Sequence, residues 1–419
     1  MGVKYSTAPI SIDYITELHD NHCMTQPFST YIRKLKLTFT PNPIKGSAAC
    51  FLWGPRQTGK TTYVQRCFPT AAYYDLLDSD QTAEFMVRPK RLREEVVARR
   101  ERVVVIDEIQ KVPALIDEVH WLLEHTNKHF ILCGSSARKL RRGGKNLLGG
   151  RATAWSLLPL TTAEIPNLDL EKMLNHGGLP SHYLSPHPQP LLKAYVNTYV
   201  KEEIIDESLT RNIPAFSRFL EVTALTHGQQ LNYANMAREC GVAASTVRSY
   251  YTILNDTLLG FELPPWRKRK KRRLVDTGKY FFFDIGVANY LSPEVQQVVP
   301  GSNLYGRAFE HFLINEIRAF QAYHCIDSPL AYWRTSSGFE VDLILGNMNV
   351  ALEFKASAQV SDKWLRGLRA LAEEHAPQQS IIVSLVEKPL KTEDGIHILP
   401  WRQFCRDLWR GTYHQKINH

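Results

Sequence analysis

The stretch FLWGPRQTGKTT, from Phe51 to Thr62, sets two glycines, a lysine and a pair of threonines directly behind an apolar run. It fits G-x-x-x-x-G-K-[ST] at every position: Gly54, Pro55, Arg56, Gln57, Thr58, Gly59, Lys60 and Thr61. The glycines let the backbone turn so that successive N–H groups point inward at phosphate oxygens. A helix opening at Lys60 adds the positive end of its dipole. In this arrangement Lys60 reaches the β- and γ-phosphates, Thr61 offers its hydroxyl to Mg²⁺, and Thr62 adds a contact to the α-phosphate.

Such a loop needs a carboxylate on the metal, and VVVIDE supplies one. Asp107 ends an apolar strand where it can share Mg²⁺ with Thr61, and Glu108 comes next as the group that orients or deprotonates the attacking water. Another apolar run, FILCGSS, ends in Ser135 and Ser136, where a polar group can sense the γ-phosphate. Phosphoryl transfer needs positioning and charge neutralisation more than covalent help, and an arginine often completes it. Arg151, after LLGG, and Arg138 are the candidates.

Outward from this centre the chain alternates strand and helix. AACFLW, AAYYDLL, ERVVVIDEIQ and HFILCGSS read as strands; KTTYVQRCF and VPALIDEVHWLLEHT read as helices. That alternation predicts an α/β fold with a parallel sheet covered on both faces. At 419 residues, 44% apolar and 22% charged, the chain is too long for one core and is globular in composition. The texture divides it into an N-terminal extension, 1–45, expected to pack loosely; an ATPase core, 46–165; a helical linker, 166–214; a helix-turn-helix region, 215–298; and a last α/β region, 299–419.

Other classes are disfavoured. No run approaches the ~20 apolar residues of a membrane span, and the N-terminus lacks the apolar core of a secretory signal. Seven scattered cysteines without C-x-x-C suit reduced thiols in a cytoplasm better than disulfides or zinc. The net charge is +9, but WRKRKKRR, Trp266 to Arg273, holds seven of the cations, leaving +2 for the rest of the chain. One concentrated tract points to a local polyanion contact.

The runs FLWGPRQTGKTT, VVVIDEIQKVP, CGSSARKL…LLGGR, GGLP, YVNTYVKEEI, LPPW and KYFFFDIGVANYL occur here in that order. Together they resemble the uncharacterised prokaryotic AAA-type ATPases that carry a C-terminal domain of unknown function. The resemblance spans roughly residues 30 to 410; residues 1 to about 28 depart from it, and Met24 is a second candidate start. It implies an ATPase core, then a winged helix, then a fold related to PD-(D/E)XK nucleases.

Two further sites lie downstream. NMARECGVAASTVRSYYTIL has the form of a helix-turn-helix, with Ser245 at the second N-cap and Thr246, Arg248 and Ser249 starting the second helix. Arg267, Lys268, Arg269, Lys270, Lys271, Arg272 and Arg273 would then form a wing beside it that meets phosphates; the competing reading is a packing module with a solvated charge run. In GFEVDLIL and ALEFKA, strand alternation puts Glu340 with Asp342 on one face and Glu353 with Lys355 on another. With Glu310 on the preceding helix, the order matches a PD-(D/E)XK site. There Glu310, Asp342 and Glu353 would bind Mg²⁺ and Lys355 would position or activate water. Lys355 as a structural ion-pair partner is the alternative.

The reading is an ATP- and Mg²⁺-using hydrolase that couples nucleotide state to a winged-helix and nuclease-like module acting on DNA or RNA. The alternatives are an ATP-driven switch for a protein partner and a DNA-binding protein that cuts nothing. Self-association into a homo-oligomer is open, and no membrane partner is expected.

Overall fold

The computed structural model describes residues 31–40, 46–136, 148–200, 212–267, 277–293 and 297–413, with only the backbone at 199 and 200. Arg138 and the tract Lys268 to Arg273 lie outside them. The chain forms two compact units, Met1–Leu158 with Asp256–Leu258, and Pro159–Asn255 with Leu259–His419.

The first unit runs β1 (Ala48–Trp53), α1 (Lys60–Cys67), β2 (Ala72–Asp75), α2 (Ser79–Val87), α3 (Lys90–Ala98), β3 (Val103–Asp107), α4 (Leu115–His125), β4 (His129–Gly134) and β5 (Ala152–Ser156). Its five strands are all parallel, in the order β2-β3-β4-β1-β5. Strands β1 and β4 are buried at every residue, as expected of parallel strands covered on both faces. Phe51, Trp53, Ile106, Leu122, Phe130 and Leu132 belong to its core. The order matters for chemistry: β4 lies between the strand feeding the phosphate loop and the strand ending at Asp107. Ser135, just past β4, is thereby set between the two.

The described part of the N-terminal extension corrects the expectation of loose packing. Leu35, Leu37 and Phe39 are buried. The Tyr63 hydroxyl on α1 donates to Leu35 O (3.0 Å) and accepts from Leu37 N (3.2 Å), while Phe39 stacks on His129. Alternate residues of the segment turn inward, an alternation too short to register against its polar surroundings.

The second unit opens with short helices α5 (Leu170–His176), α6 (Pro180–Leu184) and α7 (Pro188–Ala194), the last continued as a π turn at Tyr195–Val200. Then come α8 (Ile213–Leu225), α9 (Tyr233–Cys240), α10 (Ala244–Asp256), the hairpin strands β6 (Gly260–Leu263) and β7 (Lys279–Phe282), and α11 (Ile285–Leu291). Residues of the segment 179–196 share one core with α8, α10 and β7: Leu179, Leu192 and Tyr195 pack in the same cluster as Phe219, Tyr250, Leu254 and Phe282. Helix α10 begins at Ala244, so Ser245 lies inside its first turn rather than at the N-cap. The main-chain carbonyl of Ala243 takes the opening amide bonds from Thr246 and Val247.

The runs GGLP and FFFDIG meet at one buried junction. Asp284 caps α11 by accepting from Val287 N (3.1 Å) and also accepts from Gly178 N (2.7 Å). Burial pushes its carboxyl up to about 6 against those amide bonds.

The unit ends with α12 (Asn303–Tyr323), β8 (Leu330–Arg334), β9 (Glu340–Leu345), β10 (Val350–Lys355), α13 (Arg366–Glu374), β11 (Gln379–Ser384), β12 (Leu390–Lys391), β13 (His397–Pro400) and α14 (Trp401–Trp409). Its mixed sheet has the order β12-β13-β11-β10-β9-β8; β10 is antiparallel to β9 and parallel to β11. The α/β class holds in both units. No helix among the described residues is long and apolar enough to cross a membrane.

Candidate phosphate site and acidic cluster

The loop after β1 has the backbone that a phosphate cradle requires. Gly59 has φ 88°, a left-handed conformation that suits glycine, and passes directly into α1. Gly54 packs against the main-chain carbonyl of Leu157, where a Cβ would collide. Thr58 is fully buried and its hydroxyl donates to Pro55 O (2.9 Å), bracing the loop. Thr62 is exposed.

Lys60 is buried, and its ammonium lies across the loop, donating to Gly54 O (2.8 Å) and Pro55 O (3.0 Å). Burial lowers its pKa, with Glu108 opposing. Thr61 Oγ1 donates to Asp107 Oδ2 (2.6 Å), so the two expected metal-side groups meet as the sequence indicates. The Tyr73 hydroxyl donates to the same carboxylate oxygen, and burial followed by that carboxylate raises its pKa.

Glu108 sits at φ 55°, ψ 42°, in the left-handed region that side-chain-bearing residues seldom adopt. Its carboxylate accepts from Gln110 Nε2, and that amide also donates to Ser135 Oγ (3.1 Å). Gly134 leaves room for this; a Cβ there would press on Gln110 Oε1 at 2.6 Å. Gln110 thus ties the end of β4 to Glu108. Its only signal in the sequence is its place two residues past Glu108 in VVVIDEIQ. Ser136 instead donates to Asp256 O (3.2 Å).

Arg151 is placed elsewhere, a correction for this chain's own site. It precedes Ala152, which lies opposite Ala49 near the start of β1; the phosphate loop leaves the other end, where Trp53 lies opposite Ser156. About 13 Å of strand separates these edges. Arg151 pairs there with Glu124 at 3.0 Å.

In the second unit, Thr246 is half-buried and Arg248 and Ser249 are exposed, with the Arg248 guanidinium 4.5 Å from the Tyr233 ring centre. Arg267 is the part of the basic tract within the described residues.

The mixed sheet brings the expected acidic residues together. The pairing of Leu352 with Leu343 aligns β9 and β10 so that Asp342 Oδ2 accepts from Phe354 N (2.8 Å). Glu353 Oε1 takes the Lys355 ammonium at 2.5 Å, and its buried Oε2 has no hydrogen-bond partner. Burial pushes the Glu353 carboxyl up; Asp342 adds to the rise and Lys355 opposes it. Glu310, on α12, pairs not with Lys355 but with Lys279 of β7 (3.1 Å), and Lys279 also holds Glu340 at 2.6 Å. Burial alone would lower the Lys279 pKa, but Glu310, Asp342 and Glu340 outweigh it and raise it. In the sequence Lys279 is only the polar edge of the strand KYFFFD, with no local sign of its partners. Among the described residues no group of three or more His, Cys, Asp or Glu side chains is placed to hold a metal ion.

A phosphate loop after β1, an acidic pair after β3 and an intervening β4 in an all-parallel sheet define a P-loop NTPase fold. Its first unit is an AAA-type ATPase-like domain: residues 47–166 match the AAA domain family. Residues 167–297 match a domain of unknown function (DUF8612), and residues 305–404 match another (DUF4143). Among curated proteins, the chain is 26% identical over 300 residues to uncharacterized protein Rv2008c of Mycobacterium tuberculosis and to uncharacterized protein Mb2031c of Mycobacterium bovis. Each match covers 70% of this chain and 66% of the relative, just under two thirds of its length. Among solved structures, a Walker-type ATPase of Pyrococcus abyssi aligns with TM-score 0.39 and 13% identity, over 59% of this chain and 91% of that one. A signal-transduction ATPase with numerous domains and a tetratricopeptide repeat sensor, from Pyrococcus horikoshii, aligns with TM-score 0.16 and 16% identity, over 67% and 46%.

Proposed function

We propose that the protein is a magnesium-dependent ATP hydrolase that couples its nucleotide state to the helical and mixed-sheet unit. The observation that carries this reading is the meeting of Lys60, Thr61 and Asp107 at one loop. Phosphate oxygens would take over the Lys60 donors now spent on the Gly54 and Pro55 carbonyls. Thr61 and Asp107 would hold magnesium, which when bound supplies charge neutralisation on the phosphates. Glu108, held by Gln110, orients the water. Arg151 is left to serve the phosphate site of a second copy, which makes a homo-oligomer the assembly to look for. The test is phosphate release by wild type and Lys60→Ala, with circular dichroism as the folding control. Turnover should vanish in the variant while its fold is kept; equal turnover in both would end the reading.

A second reading, contact with DNA or RNA, is supported by the described residues that flank the basic tract. Tyr332 N donates to Pro264 O (3.0 Å), Trp266 N donates to Tyr332 O (2.6 Å), and the Tyr332 hydroxyl donates to Thr277 O (2.7 Å). One residue of β8 therefore grips both feet of the segment that carries the tract. Helices α8, α9 and α10 and then the β6–β7 hairpin are in the order of a winged helix, and Arg248 and Ser249 on α10 are exposed. For the mixed-sheet cluster, the lysine contacts favour a switch that cuts nothing over a nuclease.

A further inference from the structure

We propose that Lys279 is the resident cation of the mixed-sheet carboxylate cluster. It makes a nuclease-like site into a latch that holds the β6–β7 hairpin and excludes a divalent metal. The inference stands whether or not the phosphate loop turns over ATP.

The geometry starts from β7. Lys279 is the first residue of that strand, pairs with Leu263 across the hairpin and is 4% exposed, among the most buried charged groups of the second unit. Its ammonium reaches out of the hairpin into the mixed-sheet module and lies between Glu310 of α12 (3.1 Å) and Glu340 of β9 (2.6 Å). It also sits 5.5 Å from the Tyr332 ring centre. A buried ammonium is tolerated only when such carboxylates compensate its lost hydration, and the carboxylates are tolerated for the same reason.

The donor set does not suit a metal as arranged. Glu310 and Glu340 are engaged by Lys279, Glu340 additionally by Arg334 (2.9 Å), Asp342 by the Phe354 amide and one oxygen of Glu353 by Lys355. A divalent ion that took Glu310 would leave the buried ammonium only Glu340, itself shared with Arg334, at the pinned start of β7. The pins are hydrogen bonds: Gly278 N to the Glu262 carboxylate (3.2 Å), Leu231 N to Gly278 O (2.9 Å), and the Tyr332 grip on Pro264, Trp266 and Thr277 through its main chain and hydroxyl. Lysine and metal are thus alternatives at one place, and the fold holds the lysine there. The functional consequence is mechanical. The β6–β7 hairpin is fixed to the sheet through a charged contact with Glu310, one of the three carboxylates that a cation-dependent nuclease would use for its ion.

The test is Mn²⁺ binding by the nucleotide-free full chain, monitored by electron paramagnetic resonance, in wild type, Lys279→Met, and Lys279→Met with Glu310→Gln. Wild type should bind no ion that Glu310→Gln or Glu353→Gln removes. Lys279→Met should bind Mn²⁺ about tenfold or more tighter, because removal of the ammonium frees Glu310 and leaves Glu340 only Arg334, and the added Glu310→Gln should abolish the gain. Should Lys279→Met not fold, Lys279→Gln paired with Glu340→Gln removes one charge of each sign and takes its place. Wild-type Mn²⁺ binding that depends on Glu310 or Glu353 overturns the proposal, and so does a folded Lys279 variant with no gain in affinity.

Discussion

The hydroxyl of Thr61 and the carboxylate of Asp107, 46 residues apart in the chain, meet at 2.6 Å with the Tyr73 hydroxyl on the same oxygen. Asparagine at 107 keeps the side-chain shape and a carbonyl acceptor for those hydroxyls but removes the charge that a magnesium ion needs. Asp107→Asn should therefore fold normally and lose about 100-fold or more of its phosphate-release rate. A rate within about threefold of wild type would mean the charge at 107 does not act on the metal.

Gln110 offers a sharper separation of roles, since its amide bonds Glu108 and Ser135 and stands outside the phosphate loop. Gln110→Ala should leave nucleotide affinity near wild type and lower kcat by about tenfold, because Glu108 loses its restraint and not its chemistry. Steady-state kinetics decide it: a raised KM with unchanged kcat would place Gln110 in binding and not in positioning.

Much of this site was legible because its signal is local. Gly54 to Thr61 is one unbroken spacing, and Asp107 and Glu108 end a run of apolar residues whose burial is forced by a covered parallel sheet. The α/β class came from the same alternation. The parts that were not legible depended on long-range register. Lys279 and Glu310 are 31 residues apart, on different element types, and nothing near either announces the other. The placement of Arg151 required knowing that β5 runs parallel beside β1, which puts the start of β5 at the edge remote from the loop. Helices α2 and α3 leave little signal in the sequence because each turns only two residues inward, Thr82 and Phe85 in one and Leu92 and Val96 in the other.

The seven cations between Arg267 and Arg273 carry a quantitative expectation. If all meet phosphates, the logarithm of the binding constant for duplex DNA should fall with the logarithm of salt at a slope of about −6. Replacing the tract with serine and glycine should flatten that slope toward zero. Mobility-shift titrations across salt measure both. An unchanged slope would move any nucleic-acid contact away from the tract.

Asp284 links pH to the stability of the second unit. Its folded carboxyl is pushed up to about 6 by burial, against an ordinary value of 3.8. Between those values the folded state holds a proton that the unfolded chain has released, so this group's contribution to stability falls as pH rises from about 4 to 6 and is flat above. The span corresponds to about 3 kcal/mol. Asp284→Asn cannot titrate; it should start lower at pH 4 by about 1–3 kcal/mol, because its NH₂ faces either the Gly178 or the Val287 amide. The variant should then recover relative to wild type as pH rises. Urea unfolding of both proteins at pH 4, 5, 6 and 7 reads the difference directly. A gap that stays constant across the series would show that the Asp284 carboxyl ionises at its ordinary value, and that the burial of this junction is relieved by solvent.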